Sequence, residues 1–286
     1  MSAVATATPT APARPATKSH LTFPHLLRSE WIKFWTVRST AWSLSIYFVV
    51  TVALIVLISL ALSNAGAGDG PPGPVEDRVL GPYTVAAQLG QVALVVLAAL
   101  AITGEYTTGM IRSSLTAAPH RTPVIWAKFL VLGGVFLVLS VIATGLGALL
   151  QQAFFGDDLP LDLGDPQILR ALFGSALYVT TISLLSFALG ALLRQSAAAI
   201  ATLLGALLVL PLLFQIPWKP LQEMQPFLPG VAGSNITQTD AQVVAGWDQF
   251  PDGVAHLTAW QGYGVLVAYL VVILGAAIVR LKRTDA

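Results

Sequence analysis

Residues able to do chemistry are sparse in this chain, and the best-equipped group lies between two long apolar runs, in residues 104–128. This stretch, GEYTTGMIRSSLTAAPHRTPVIWAK, contains three basic residues and one acid. It also contains apolar side chains that a connector through water would not need. The mixture favours a docking element on the inner face of a membrane, where another protein contacts it.

The usual catalytic and cofactor motifs are missing from the sequence. There is no G-x-x-x-x-G-K-[ST] phosphate loop, no H-E-x-x-H zinc motif and no G-x-S-x-G nucleophile turn. The chain has no cysteine, which excludes disulfides, thiolate metal sites and a cysteine nucleophile. We therefore expect no enzyme activity, no metal site and no cofactor bound by this chain itself.

Composition indicates a membrane protein. Hydrophobic residues make up 55% of the chain and charged residues 10%, against roughly 25% charged residues in a soluble domain. Six apolar runs are each long enough to cross a bilayer, which takes about 20 residues. We predict an all-α membrane protein, with a disordered tail over 1–20 and a single transmembrane domain over 21–286. The predicted spans are about 41–62, 83–103, 129–155, 169–193, 196–216 and 258–280.

The distribution of basic residues predicts the orientation. With six spans, both termini lie on one side, and that side has twelve of the fifteen Lys and Arg residues, all except Arg78, Arg170 and Lys219. Lys and Arg are enriched in cytoplasmic loops. We therefore predict a multi-pass protein of the plasma membrane with cytoplasmic N- and C-termini. The acids are biased the other way, with Glu30, Glu105 and Asp285 alone on the basic side.

Residues 22–38 form a predicted N-terminal amphipathic helix. Two tryptophans, Trp31 and Trp35, and the basic Lys33 lie just before the first span. Aromatic and basic side chains of this kind anchor helices in the headgroup layer. We predict an interfacial helix with these three as membrane-interface residues. The alternative is a helix that extends the first span into the cytoplasm.

Two segments on the opposite side allow more than one interpretation. Residues 217–252 have apolar pieces too short to span, broken by Pro and Gly, which fits a short re-entrant or surface-lying helical hairpin as well as an ordinary loop. Residues 156–167 have four aspartates without calcium-loop spacing. We interpret these aspartates as a solvated acidic rim rather than a cation site.

Within residues 104–128, the sequence predicts a short helix between two turns. Gly109 weakens the preceding helix, residues 111–118 form the short helical stretch, and Pro119 ends it. Thr122 and Pro123 are a good cap and first-turn pair for the third span. The short helix would lie parallel to the membrane on its inner face.

This loop resembles the first cytoplasmic loop of type-2 ABC transporter permeases. That family's motif reads roughly E-x-x-x-G-x-I-R-x-x-L followed by P, R and K, and the SEWIKFW stretch at residues 29–35 resembles the family's entry to its first span. The resemblance extends over essentially the whole chain. The matching positions are Glu105, Gly109, Ile111, Arg112, Leu115, Pro119, Arg121 and Lys128.

The resemblance implies a role and partners. Such permeases pair as homodimers or heterodimers and export hydrophobic or amphipathic compounds, driven by separate ATP-binding subunits that hold ATP and Mg²⁺. The loop would contain the family's coupling helix, which docks into the ATPase. The implied ATPase-docking residues are Glu105, Gly109, Arg112, Leu115 and Arg121. The lipid bilayer is a further partner, and no nucleic acid is expected.

Two other functional classes were weighed on sequence. A membrane anchor or sensor that scaffolds partners without transport is compatible with the same spans. A secondary carrier is disfavoured because the predicted spans have no acid in their middle, where ion-driven carriers place ionisable residues. Polar residues within the spans, such as Gln91 and Thr181, line a path or bond neighbouring helices.

Overall fold

A computed structural model describes residues 22–64, 75–108, 122–214, 216, 218–247, 250 and 254–284. The described part of the chain is helical and contains no strand, which confirms the predicted all-α class. The predicted tail over 1–20 and the predicted coupling helix between the second and third spans lie outside the described residues.

Six helices are long and apolar enough to cross a membrane, as predicted. Each overlaps one predicted span, and most extend beyond it by several residues. The fifth of these six helices, Ser196–Leu213, includes a π-helical turn at Gly205–Val209. In chain order, the helices are α1 Phe23–Thr36, α2 Arg38–Asn64, α3 Val75–Thr107, α4 Thr122–Phe155, α5 Pro166–Leu193, α6 Ser196–Leu213, the short α7 Lys219–Met224, α8 Pro229–Ser234 and α9 Asp240–Trp247, and α10 Ala259–Thr284.

The central helix of the bundle is α5. Within its most apolar 18-residue window, 83% of the residues are buried, against 17% for α6 and 28% for α2 and α10. Small residues let neighbours approach α5 closely: a Cβ at Gly190 would collide with Ile102 of α3. Contacts with α3, α4, α6 and α10 surround it. α5 is therefore the helix around which α3, α4, α6 and α10 pack.

Few but specific hydrogen bonds join the spans. Tyr47 of α2 donates its hydroxyl hydrogen to Ser140 Oγ of α4 at 2.8 Å, and Ser186 of α5 bonds the carbonyl of Val95 in α3 at 2.8 Å. Thr181 lies 3.0 Å from the Tyr263 hydroxyl. Because lipid offers no hydrogen-bond partners, such pairs favour one arrangement of the helices.

The loops group at two ends of the bundle. We call the end formed by α1, the end of α3, the start of α4 and the α5–α6 turn the base. The described basic residues at the base are Arg28, Lys33, Arg38, Lys128, Arg194, Arg280, Lys282 and Arg283, and those at the opposite end are Arg78, Arg170 and Lys219. The grouping of loops used for the charge argument is thus the grouping found in the fold.

Residues 218–247 at the opposite end form short packed helices, which favours the helical alternative over an ordinary loop. α8 and the 3-10 turn after it, Asn235–Thr237, pack on α5 and α10. Gly174 of α5 lies against the carbonyl of Ile236, and Gly262 of α10 against that of Ala232. We call residues 218–247 the cap. A side chain at either glycine would collide with the backbone of the cap, so these two positions allow the cap to pack closely on α5 and α10.

The acidic segment before α5 behaves as a solvated rim. Asp165 caps α5 by accepting a hydrogen bond from the Gln167 N–H at 2.8 Å, and Asp162 accepts one from the Gly164 N–H at 2.8 Å. Asp157 and Asp158 are exposed. Among the described residues, no group of acids and histidines has the arrangement of a metal site.

Candidate functional site

Four charged side chains from three helices meet at the base. Lys128 of α4 lies 2.6 Å from Glu30 of α1 and 2.9 Å from Glu105 of α3, measured from Nζ to the carboxylate oxygen. Lys33 of α1 lies 2.6 Å from Glu30 and 3.6 Å from Glu105. We call these four residues the base cluster. Two acids and two bases cancel in formal charge, so the cluster carries no net charge into the protein.

Local sequence explains how the three helices present these groups. Glu30 and Lys33 are three residues apart, which places them on one face of α1. α3 ends just after Glu105, where Thr107 and Thr108 both donate their hydroxyl hydrogens to the carbonyl of Gly104. α4 begins at Thr122, so Lys128 lies in its second turn. The cluster therefore joins the end of α3 to the start of α4.

The cluster is mostly buried. Only 3% of the Glu30 side chain and 10% of the Glu105 and Lys128 side chains are exposed, whereas Lys33 is 35% exposed. Unpaired charges at such positions would cost several kcal/mol each. Pairing offsets that cost, and it ties three separate helices to one another.

Both α1 members of the cluster are charged at neutral pH. Burial alone would raise the pKa of Glu30, but the nearby Lys128 charge and hydrogen bonds from Lys128 and Lys33 outweigh it and hold that pKa below its ordinary value. Burial alone would lower the pKa of Lys33, but its hydrogen bond and charge attraction to Glu30 outweigh it and raise that pKa.

A cavity of about 410 Å³ lies beside the cluster, between α1 and the inner parts of α2, α3 and α4. All four residues of the base cluster line it, together with hydroxyl and apolar side chains. Its walls include Phe34, Val37, Leu97, Leu100, Ala101 and Leu132. Packed interiors leave few voids of this size, so α1 is incompletely packed against the spans beside the base cluster.

The predicted site residues fall into three groups. Glu105 lies in the base cluster, whereas Gly109, Arg112, Leu115 and Arg121 lie outside the described residues. Trp31 and Trp35 are each 49% exposed and pack edge to face, with ring centroids 5.7 Å apart. Lys33 lies beside them in sequence but bonds Glu30. A helix, α1, is present where predicted, and its position in the membrane interface stays a prediction.

Sequence reasoning missed Glu30 and Lys128 as members of this site. The sequence contained a signal for them. The basic side of the chain has three acids, of which Glu30 precedes the first predicted span and Glu105 directly follows the second. Charged residues make up only 10% of the chain, so acids beside the spans and close to basic residues were candidates for specific ion pairs.

Comparison with known proteins gives the family. A search of curated proteins found no match. The model of the family described as ABC-2 family transporter protein matches residues 84–286, more than two thirds of the chain. The match includes most of α3 and the whole of α4, α5, α6 and α10, and it confirms the resemblance drawn from the residue 104–128 motif. The chain therefore belongs to the ABC-2 transporter family, as a membrane-embedded permease component of an ABC transporter.

Proposed function

We propose that this chain is the permease subunit of an exporter that moves a hydrophobic or amphipathic substrate and is driven by ATP hydrolysis on a separate subunit. The chain itself would bind no cofactor, and ATP and Mg²⁺ would be held by the partner. Family membership implies an ATP-binding partner in general. The direction of transport and the substrate class are our proposal.

The observation that carries the proposal is the contact between Glu105 and Lys128. These residues flank the segment predicted to dock on the ATPase, one before it and one after it. Lys128 Nζ lies 2.9 Å from the Glu105 carboxylate. Lys128 also bonds Glu30 of α1 at 2.6 Å. A pull on the docking segment would therefore move α3, α4 and α1 together, which a passive connector between spans would not require.

Docking itself is assigned to residues 105–121. We propose that Arg112, Leu115 and Arg121 contact the ATPase directly. Gly109 would let the chain turn into the coupling helix. Glu105 would fix the start of the docking segment through its ion pair with Lys128. Glu105 is 8% exposed. Glu105 would therefore contribute to docking by fixing the position at which the docking segment leaves α3.

The distribution of basic residues supports a proposed orientation in the membrane. The base has most of the basic residues, so we propose that it faces the cytoplasm, with both termini there and the protein in the plasma membrane. Trp31, Trp35 and Trp126 are exposed at the base, and Trp218 and Trp260 are exposed at the opposite end. Two such groups of exposed tryptophan fit the two headgroup layers of a bilayer.

A second permease completes the proposed transporter. α6 is only 17% buried within one chain and α2 and α10 only 28%, so these helices have apolar faces for lipid and for a partner. Either a second copy of this chain or a related permease would pair there. The translocation path would form between the two permeases.

The test uses the tagged chain purified in mild detergent from membranes of its own host. We expect a nucleotide-hydrolysing chain to co-purify, with ATPase activity sensitive to vanadate. The R112E substitution should remove that chain while the permease still inserts and elutes as a monodisperse peak. R283E, which reverses an exposed charge at the end of α10, is the matched control and should retain the partner.

Two outcomes would count against the proposal. If no ATP-hydrolysing chain accompanies the wild-type protein, the permease role in an ATP-driven transporter is wrong. If R112E retains the partner and its activity, the docking assignment is wrong. A partner that hydrolyses ATP equally with and without the permease would instead favour a scaffold that takes no part in transport.

A further inference from the structure

The turn between α5 and α6 contains an arginine in an unusual backbone conformation. Arg194 has φ 60° and ψ 17°, in the left-handed region, and it is the one non-glycine residue with positive φ in the described part of the chain. Its N–H bonds the carbonyl of Gly190 at 2.8 Å, which ends α5. Glycine or asparagine is the usual residue at this position of a helix end.

A residue that is costly for the backbone points to a role for its side chain. The Arg194 guanidinium carbon lies 5.2 Å from the centroid of the Tyr106 ring, within the range of a cation–π contact. The Nε of Arg194 is buried and has no hydrogen-bond partner among the described residues. The aromatic ring is thus the main described partner of this cation.

Tyr106 connects this contact to the base cluster. It follows Glu105 directly and lies in the last turn of α3, the helix that leads into the predicted docking segment. Arg194 itself lies in the turn that joins the central helix α5 to α6. Arg280 of α10 donates a hydrogen bond to the carbonyl of Leu192, two residues before Arg194. One side chain therefore links the end of α3 to a turn where three other spans meet.

We propose that Arg194 is a positioning residue that transmits movement of the docking segment from the end of α3 to α5 and α6. The inference rests on the proposed function, because it presumes that a partner moves the docking segment. The base cluster joins α3 to α4 and α1, and Arg194 extends that connection to the second half of the bundle. A glycine at position 194 would form the same turn with less strain but would remove the side-chain contact between the α5–α6 turn and the end of α3.

The chain has no cysteine, so single cysteines can be placed for spin labels. Labels at T108C, exposed at the end of α3, and A197C, exposed in the first turn of α6, report the distance between the two elements. In the permease alone, reconstituted in lipid nanodiscs, we expect a narrow distance distribution for the wild-type background. R194Q and Y106L should widen it, whereas Y106F, which keeps the ring, and R283Q, which removes a cation elsewhere at the base, should not.

The same labels test transmission in the transporter purified with its ATPase. Vanadate-trapped nucleotide should shift the distance in the wild-type background, and R194Q should lose that shift while nucleotide hydrolysis continues. R194G separates strain from side-chain function. We expect it to unfold at a temperature no lower than that of R194Q and yet to lose the shift equally.

The outcomes distinguish this inference from the function on which it rests. If R194G or R194Q keeps the wild-type nucleotide-dependent shift, Arg194 does not transmit movement, although the exporter proposal stands. If Y106L leaves the distribution of the isolated permease as narrow as wild type, the ring contact is not a link and the inference fails. If no ATPase accompanies the wild-type protein, the exporter proposal fails at its own test, before any substitution at Arg194 is compared.

Discussion

The two ends of the bundle are held together by different kinds of contact. At the base, four buried or partly buried charges connect three helices through short ion pairs. At the opposite end, the short helices seat on α5 and α10 through backbone carbonyls that approach Gly174 and Gly262. The ion pair between Arg170 and Asp240 at that end involves an aspartate whose side chain is 59% exposed.

This difference separates a movable end from a fixed one. Ion pairs tolerate small changes of angle and distance, and their side chains can re-pair as helices slide. Backbone packed on a glycine has no such freedom, because any added or shifted atom collides. We propose that the base, which is next to the predicted docking segment and borders a cavity of about 410 Å³, is the end that responds to a partner.

The largest effect should come from removing the cation shared by both carboxylates. K128M leaves Glu30 and Glu105 buried with only Lys33 between them. Breaking a buried ion pair by removing one partner costs about 3–5 kcal/mol. We expect the free energy of unfolding, measured by SDS titration in mixed micelles, to fall by that amount.

The double variant E30Q/K128M is the control for this prediction. It removes one carboxylate together with the cation, so less charge is left unpaired. The double variant should lose less stability than the sum of the K128M and E30Q losses. Additive losses would mean that Glu30 and Lys128 contribute independently, and the base cluster would not be the unit described here.

A smaller loss is expected from filling the glycine contact at the opposite end. In G174A the new methyl group would meet the carbonyl of Ile236, and overpacking of this kind costs about 1–3 kcal/mol. G145A is the matched control on α4, because nothing lies within 4 Å of a Cβ there. Equal unfolding curves for G174A and G145A would show that the cap does not depend on close approach at α5.

The sequence predicts the spans well because the signal is local. An uncharged run such as 41–62 has one stable solution in lipid, a helix, and α2 occupies Arg38–Asn64. Close packing at glycines is harder to predict: Gly147 and Gly190 lie against Ile55 and Ile102, whereas nothing lies within 4 Å of a Cβ at Gly145. Which face of a helix meets its neighbour depends on helix rotation, which one sequence does not determine.

The site was predictable only in part for the same reason. Glu105 was recognised from its motif, but its partners, Lys33 and Lys128, are 72 residues before it and 23 after it in the chain. On α1 the sequence pattern gave weight to Trp31 and Trp35, yet the buried members are Glu30 and Phe34. From sequence alone, an acid on an amphipathic helix is predicted to be exposed to solvent. Its burial becomes predictable only when its cationic partner is known.

Acid should reduce the stability that the base cluster gives to the protein. The folded-state pKa of Glu30 lies below its ordinary value of 4.5, so its contribution to stability is complete above 4.5 and is lost as pH falls through the folded value. Lys33, whose pKa is raised, loses its contribution only in alkali, as pH rises through its folded pKa. The loss in acid should be smaller than in K128M, since a protonated carboxyl still forms hydrogen bonds.

The pH dependence is measured as unfolding midpoints of wild type and E30Q across the acid range. The wild-type midpoint should fall with pH, and E30Q, which has no carboxylate at this position, should show a flatter profile. Parallel profiles would place the acid-sensitive group elsewhere in the protein.

The smallest effect should come from the ion pair at the opposite end. D240N removes the charge that Arg170 meets at 2.8 Å, but Asp240 is 59% exposed and Arg170 keeps its 2.9 Å hydrogen bond to the Gln238 carbonyl. Exposed pairs contribute about 0–1 kcal/mol, so the unfolding free energy in the same SDS titration should change by no more than that. A loss as large as that of K128M would mean that charge holds both ends alike, and the division into a movable base and a fixed cap would have to be abandoned.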